Sequence, residues 1–392
     1  MKFNFDELTE RRGTSSMKWD GEGDHADVLQ LWVADMDFRT APVVTEAVLK
    51  RASSGIFGYT AVPDKYYVAL ERWFAERHGW TIDRQKVIYT SGVVPALSAI
   101  IKALTKPGQG VILQTPAYNC FFSSIRNNGC KIVENPLLRN ETPDGFTFSI
   151  DFDSLEELAS DPDNTLMVLC NPHNPTGRVW TANELTRVAD ICSRHGVRVV
   201  SDEIHCELVH PTSRPYTPYA TIDKDAIVCC SPSKAFNIAG LQIANIVAPD
   251  MSTRSRIDRA INDNEVCDVN PFGVEALQAA YTPDGAMWLD ELNRYLYDNY
   301  LCLRETFTKH LPALKVCDSE STYLAWVDIT ALGMTSNEVA ELLLEKAGVR
   351  ISSGKTYGDD RYIRINYACP HRRLDEALSR IVNTLSSTSK NL

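Results

Sequence analysis

Four short stretches of this chain carry side chains that could do chemistry together: "SGVV" at 91–94, "NPHNPTG" at 171–177, "SDEIH" at 201–205 and "SPSK" at 231–234. Each follows an apolar run, and Ser, Asn, Pro and Gly in that position are by themselves ordinary turn chemistry. As a set they supply an anion site, an amide, a carboxylate and an amine. Backbone N–H groups at a helix start after Ser91 and Gly92 can hold a phosphate, and the hydroxyls of Ser231 and Ser233 can add donors to it. The amine of Lys234 can condense with an aldehyde, while Asp202 can hold a protonated ring nitrogen. An aromatic aldehyde carrying a phosphate would use all four, so the expected cofactor is pyridoxal 5'-phosphate. His173 and His205 stand among these groups, but no second ligand stands at H-x-x-x-H or C-x-x-C spacing. No metal is expected, and the two histidines read as polar neighbours of the cofactor or as turn residues.

Bringing the four stretches together requires strands that end side by side. Apolar runs at 86–90, 110–114, 131–134, 165–170, 197–201, 226–230 and 243–248 read as strands, most of them continuous, as in sheets buried on both faces. Helical patterns alternate with them, which predicts the α/β class: a mostly parallel seven-stranded sheet flanked by helices. Ligands of such sheets bind outside the carboxyl ends of the strands, where all four stretches fall. Between the fourth and fifth strands a helix is marked by Thr181 and Glu184 at capping-box spacing and stops at Gly196. From about 285 the pattern changes to a long helix over 286–311, short strands in "STYLAWVDI" and "RYIRIN", and helices around 336–347 and 371–386. The expected organisation is a large cofactor-binding domain over 46–284, with 1–45 and 285–392 forming a smaller α+β domain.

Composition narrows the partners. A chain of 392 residues, 44% hydrophobic and 23% charged, is globular with a sizeable core. The N-terminus meets charge within a few residues and builds no apolar signal run, and a cytoplasmic location is expected. The 11 cysteines include no C-x-x-C pair and fit a reducing compartment. A formal charge of −11 opposes attraction to phosphate backbones, so small-molecule partners are expected, with no nucleic acid and no membrane.

In their order, "NPHNPTG", "SDEIH" and "SPSKAFN" resemble the fold-type I pyridoxal phosphate enzymes, the aspartate aminotransferase superfamily. "ADMDF" (34–38), "FGYT" (57–60), "TPAY" (115–118), "GRVW" (177–180), "STYLAW" (321–326) and "RIN" (364–366) make the chain most similar to the cystathionine β-lyase branch, the MalY/PatB-like carbon–sulfur lyases. The resemblance implies a role for each matching residue. Lys234 binds the cofactor and then moves the proton of the substrate's α-carbon. Asp202 partners the pyridine nitrogen, Asn174 donates to the ring's phenolic oxygen, and Tyr118 stacks on the ring. Gly92, Val93, Val94, Ser231 and Ser233 form the phosphate cup, and His205 neighbours the cofactor. Tyr59 reaches the phosphate from a neighbouring subunit, which implies a homodimer. Arg364 clamps the α-carboxylate of an amino-acid substrate through two parallel bonds, beside Asn174 and Tyr118.

Two departures bear on the reaction. Gln242, in "IAGLQIAN", stands where many aminotransferases of the superfamily place an Arg against the phosphate, and His205 stands where many carry a Tyr. Lys234, Asp202 and Arg364 serve β-elimination and amino transfer equally. The closer resemblance implies elimination: cleavage of cystathionine, and of cysteine or other S-substituted cysteines, to a thiol, pyruvate and ammonia. An aminotransferase is the alternative, and a lyase with an added regulatory protein contact is a second.

Overall fold

The computed structural model describes residues 2–21, 27–263, 265 and 268–388. Its centre is a seven-stranded sheet built from β1 (Val87–Thr90), β2 (Gly110–Thr115), β3 (Lys131–Pro136), β4 (Asn164–Cys170), β5 (Arg198–Asp202), β6 (Ile227–Cys230) and β7 (Ala244–Val247), in spatial order β1-β7-β6-β5-β4-β2-β3. All seven expected runs are strands of this one sheet. β7 is antiparallel to both of its neighbours and the other pairings are parallel. An apolar run alone carries no direction, so this reversal is new information. β2, β5 and β6 are buried along nearly their whole length, whereas β3 lies at the sheet edge and is largely open.

Helices cover both faces. α1 spans Pro42–Ala52, α2 Asp64–His78, α3 Val93–Leu104 and α4 Ala182–His195. In α4 the Thr181 hydroxyl accepts from the Glu184 N–H while the Glu184 carboxylate takes the Thr181 N–H, and Gly196 ends the helix at φ 70°. α5 spans Pro283–His310, starting three residues before the apolar pattern because Thr282 caps it and Pro283 occupies its first turn. It packs against α6 (His371–Thr388).

A second, three-stranded sheet carries β8 (Leu324–Asp328), β9 (Ser352–Ser353) and β10 (Tyr362–Asn366), with β10 in the middle and antiparallel to both neighbours. The helical pattern around 336–347 is an α-helix over Ser336–Leu342 that continues as a π turn over Leu343–Ala347. Early chain joins late chain here: Leu29–Gln30 pairs in parallel with Val349–Arg350. Phe5 and Phe38 pack edge to face within the same core as Trp288 and Tyr295 of α5. Among the described residues no helix is long and apolar enough to cross a membrane.

Candidate active site

Asp202 is the last residue of β5, in register between Cys170 of β4 and Cys229 of β6. The chain leaving β4 turns straight back on it, with the Asn171 N–H donating to the Asp202 carbonyl at 2.9 Å. That turn runs through cis peptide bonds at Asn171–Pro172 and Asn174–Pro175. It closes at Gly177, whose φ of 71° and tight approach to Ser319 leave no room for a Cβ. Ser231, Ser233 and Lys234 follow β6 directly, and Gly92 precedes the first residue of α3.

A cavity of about 200 Å³ lies at these strand ends. Lys234, Asp202, His205 and Asn174 line it on the strand side. Gly92, Val93 and Val94 line it at the start of α3, with Tyr118 and Ser233 completing the wall. Ser231 is set one layer back. Its hydroxyl reaches the Ile243 carbonyl at 2.5 Å and the Ser233 hydroxyl at 2.8 Å, so it braces Ser233 rather than facing the cavity. Gln242 has a left-handed φ of 51° and an exposed position, and takes no part in the lining.

Burial dominates the electrostatics. It pushes the Asp202 carboxyl up to about 7, against the pull of the Ile204 N–H and of Lys234. Burial also lowers the Lys234 ammonium to about 8, with Arg364 adding to the effect. His205 is held near 3, first by burial and then by Lys234 and Arg364, so its ring is neutral, and its buried Nδ1 finds no partner among the described residues. A protonated ring nitrogen would give Asp202 the cation that its burial leaves it short of. No side chain caps the start of α3, which leaves its first-turn N–H groups for an anion. An amine, a buried carboxylate and an uncapped helix start around one cavity fit pyridoxal 5'-phosphate.

Arg364 lies on β10, buried, with its guanidinium over the Tyr357 ring at 4.5 Å. Its Nη1 donates to Asn174 Oδ1 at 3.2 Å and its Nη2 to the Trp32 carbonyl at 3.0 Å. Its Nε is buried without a partner among the described residues. Tyr59 is the one predicted site residue that the fold holds apart from this group: it is 99% exposed on the coil between α1 and α2. His173 does not reach the cavity. Its Nδ1 pairs with the Thr176 hydroxyl at 2.8 Å inside its own turn, and burial keeps the ring neutral with a pKa near 3.

Sequence reasoning missed the residues that close the site from the far ends of the chain. Ala34 lines the cavity, and its carbonyl accepts from Lys234 Nζ at 2.6 Å and from the Tyr323 hydroxyl at 3.0 Å. Trp32 and Tyr357 flank Arg364. "ADMDF" and "STYLAW" are visible as motifs, but a contact made by a backbone carbonyl leaves no residue signature. Among the described residues one His/Cys/Glu group, His78, Cys206 and Glu207, is close enough to share an ion. Glu207 there already accepts from Trp73, Arg77 and His78.

Residues 26–381 match the family described as aminotransferase class I and II. The chain is 40% identical over 392 residues to the cystathionine β-lyase PatB of Bacillus subtilis, covering 98% of this chain and all of that one. Among solved structures, cystalysin from Treponema denticola, which contains pyridoxal 5'-phosphate, superposes with a TM-score of 0.93 at 33% identity, covering 99% of this chain and 100% of that one. The pyridoxal-phosphate-bound C–S lyase from Staphylococcus hominis superposes at 0.89 with 33% identity, covering 98% and 99% of the two chains.

Proposed function

Because the chain belongs to the aminotransferase class I and II family, we propose that its cavity holds pyridoxal 5'-phosphate and that the protein is a carbon–sulfur β-lyase acting on L-cystathionine and related S-substituted cysteines. The observation that carries this reading is the convergence of Lys234, Asp202 and the uncapped start of α3 on a single cavity. Similarity to PatB and to the C–S lyase of Staphylococcus hominis favours elimination over amino transfer.

The bound cofactor supplies an aldehyde that takes the substrate's amine and a ring that draws electrons from its α-carbon. The residues of the chain do the rest. Asp202, in its charged form, holds the ring nitrogen protonated, and the favourable pairing offsets the cost of its burial. The first-turn N–H groups at Val93 and Val94 and the Ser233 hydroxyl hold the phosphate, with Ser231 fixing the rotamer of Ser233. Tyr118, Asn174 and His205, which line the same cavity, would hold the ring. Arg364 binds the substrate carboxylate, which orients the α-hydrogen toward Lys234. Lys234, once displaced from the cofactor, takes that proton as a neutral amine, and its lowered pKa keeps a useful fraction neutral near pH 7. The thiolate then leaves the β-carbon, and the remaining fragment hydrolyses to pyruvate and ammonia.

The same reading makes the active unit a homodimer. Ile56, Phe57 and Tyr59 form an exposed apolar edge on the coil after α1, suited to burial against a second copy that receives Tyr59 at its phosphate. It also groups 1–45 with 285–392 as a smaller domain beside the 46–284 domain, supported by the pairing of Leu29–Gln30 with Val349–Arg350. Incubation with L-cystathionine tests the activity: pyruvate and homocysteine should appear in equal amounts. Amino transfer to an added keto acid without pyruvate would overturn it.

A further inference from the structure

Residues 32–37 run past the cavity as a strap, with Ala34 in its lining, and their backbone oxygens accept from side chains of the site and its surroundings. The Trp32 carbonyl accepts from Arg364, the Val33 and Asp35 carbonyls from Asn366, and the Ala34 carbonyl from Lys234. Asn237, three residues after Lys234, takes the Met36 N–H on its Oδ1 and donates its Nδ2 to the Met36 carbonyl. The strap thus supplies one acceptor to each of the two cationic side chains of the site.

One buried carboxylate pins its far end. The Asp37 side chain has no exposed surface and receives Arg11 at 2.8 Å, Lys18 at 3.2 Å and Arg373 at 2.8 Å. The Trp19 indole N–H adds a bond at 3.0 Å. Burial alone would raise this carboxyl, but Lys18, Arg373, Trp19 and Arg11 together draw it down to about 2. A buried carboxylate with charged partners on every side is a fixed point, because moving it would strand charge in the interior. Two residues, Asp35 and Met36, separate that point from the carbonyl that holds Lys234.

We propose that Asp37 is a positioning residue for Lys234: it anchors the strap so that the Ala34 carbonyl receives the lysine's amino group whenever that group is free of the cofactor. No bond is made or broken in this contact. The carbonyl only accepts a hydrogen bond, and so holds the amine in one direction both before and after it carries the α-proton. The inference rests on the reading of Lys234 as proton carrier for its catalytic consequence, but the contact itself does not.

Two measurements test it. In cofactor-free protein, reductive methylation at a fixed pH, followed at the Lys234 peptide by mass spectrometry, should proceed about fivefold or more faster in Asp37→Asn than in wild type, since a lost charge-supported hydrogen bond exposes the amine. Labelling of Lys224 in the same samples should be unchanged. In the cofactor-loaded enzyme, kcat should fall by a larger factor than KM rises, with cofactor content unchanged, and the isotope effect from α-deuterated substrate should rise as proton transfer becomes slower. Arg373→Gln and Lys18→Met remove one cage partner each and should give smaller shifts in the same direction, which keeps the test usable if Asp37→Asn does not fold. Labelling of Lys234 within about twofold of wild type in Asp37→Asn, or no acceleration in Arg373→Gln and Lys18→Met where Asp37→Asn does not fold, would overturn the proposal. If wild type forms no pyruvate, the proposed lyase activity fails while the labelling result still judges the strap.

Discussion

Arg364 Nη1 donates to Asn174 Oδ1 at 3.2 Å, so the residue proposed to bind the substrate carboxylate also holds the residue proposed to contact the cofactor's phenolic oxygen. The two are 190 positions apart, one on β10 and the other in the turn after β4. Removing the amide therefore loosens both ends of the site. Asn174→Ala should raise the cofactor Kd and the KM for the amino acid together, each by about tenfold or more, the cost of a lost bond to a charged partner. Titration of cofactor-free protein and steady-state kinetics check this. An increase in one constant with the other unchanged would show that the two residues act separately.

Asp202 is placed for chemistry at the expense of the cofactor-free fold. Its carboxyl moves from an ordinary value of 3.8 to about 7, so between those values the folded state holds a proton that the unfolded chain has released. Its contribution to stability therefore falls as pH rises through that window and stays low above it. Asp202→Asn removes this dependence. The variant should match wild type near pH 4 and exceed it at pH 8 by a few kcal/mol in urea denaturation of cofactor-free protein. His173 and His205 are shifted in the opposite sense, with folded pKa values near 3, and Glu203 shares the sense of Asp202, but all three remain in both proteins and drop out of the difference. The same variant should lose most of its cofactor affinity. Equal stability of the two proteins at both pH values would contradict the buried-charge account.

Much of this site is legible in sequence because its parts obey local rules. Strand ends are marked by apolar runs that stop at Ser, Asn or Asp, and α4 announces itself through Thr181, Glu184 and Gly196. What escapes is whatever depends on distant backbone. The Ala34 carbonyl meets a lysine 200 residues later, and the Trp32 carbonyl meets Arg364 at a separation of 332. Direction escapes as well: the antiparallel run of β7 follows from chain connectivity and not from its composition. Ser231 shows the third kind of loss, in which a residue expected at the site lies beside it with its hydroxyl turned toward Ile243 and Ser233 instead of the cavity.

Tyr59 offers a test of subunit sharing that needs no structure of the dimer. A phenol that is 99% exposed on its own chain has nothing to stabilise there, so Tyr59→Ala should leave the protomer folded while weakening cofactor retention. Lys234→Ala should abolish turnover outright. Mixed dimers of the two variants contain one site with both defects and one site with neither, if Tyr59 serves the partner's cavity. At a cofactor concentration too low to load Tyr59→Ala, refolding the two proteins together should therefore restore activity, to about a quarter of the wild-type level by random pairing. No recovery in verified mixed dimers would place Tyr59 outside the active site.

The lowered pKa of Lys234 predicts how the empty protein captures its cofactor. Only the neutral amine attacks an aldehyde, and burial together with Arg364 brings the ammonium down from 10.5 to about 8, with Asp35 and Asp202 pulling the other way. The rate of capture should rise with pH and level off through a midpoint near 8. Arg364→Met removes a cation that opposes the ammonium, so its midpoint should lie higher, by about one unit. Stopped-flow absorbance after mixing cofactor-free protein with pyridoxal 5'-phosphate, repeated between about pH 6 and pH 10, measures both midpoints. A wild-type midpoint near 10 would mean that Lys234 is solvated like a surface lysine, and the proposed proton transfer near neutral pH would lose its base.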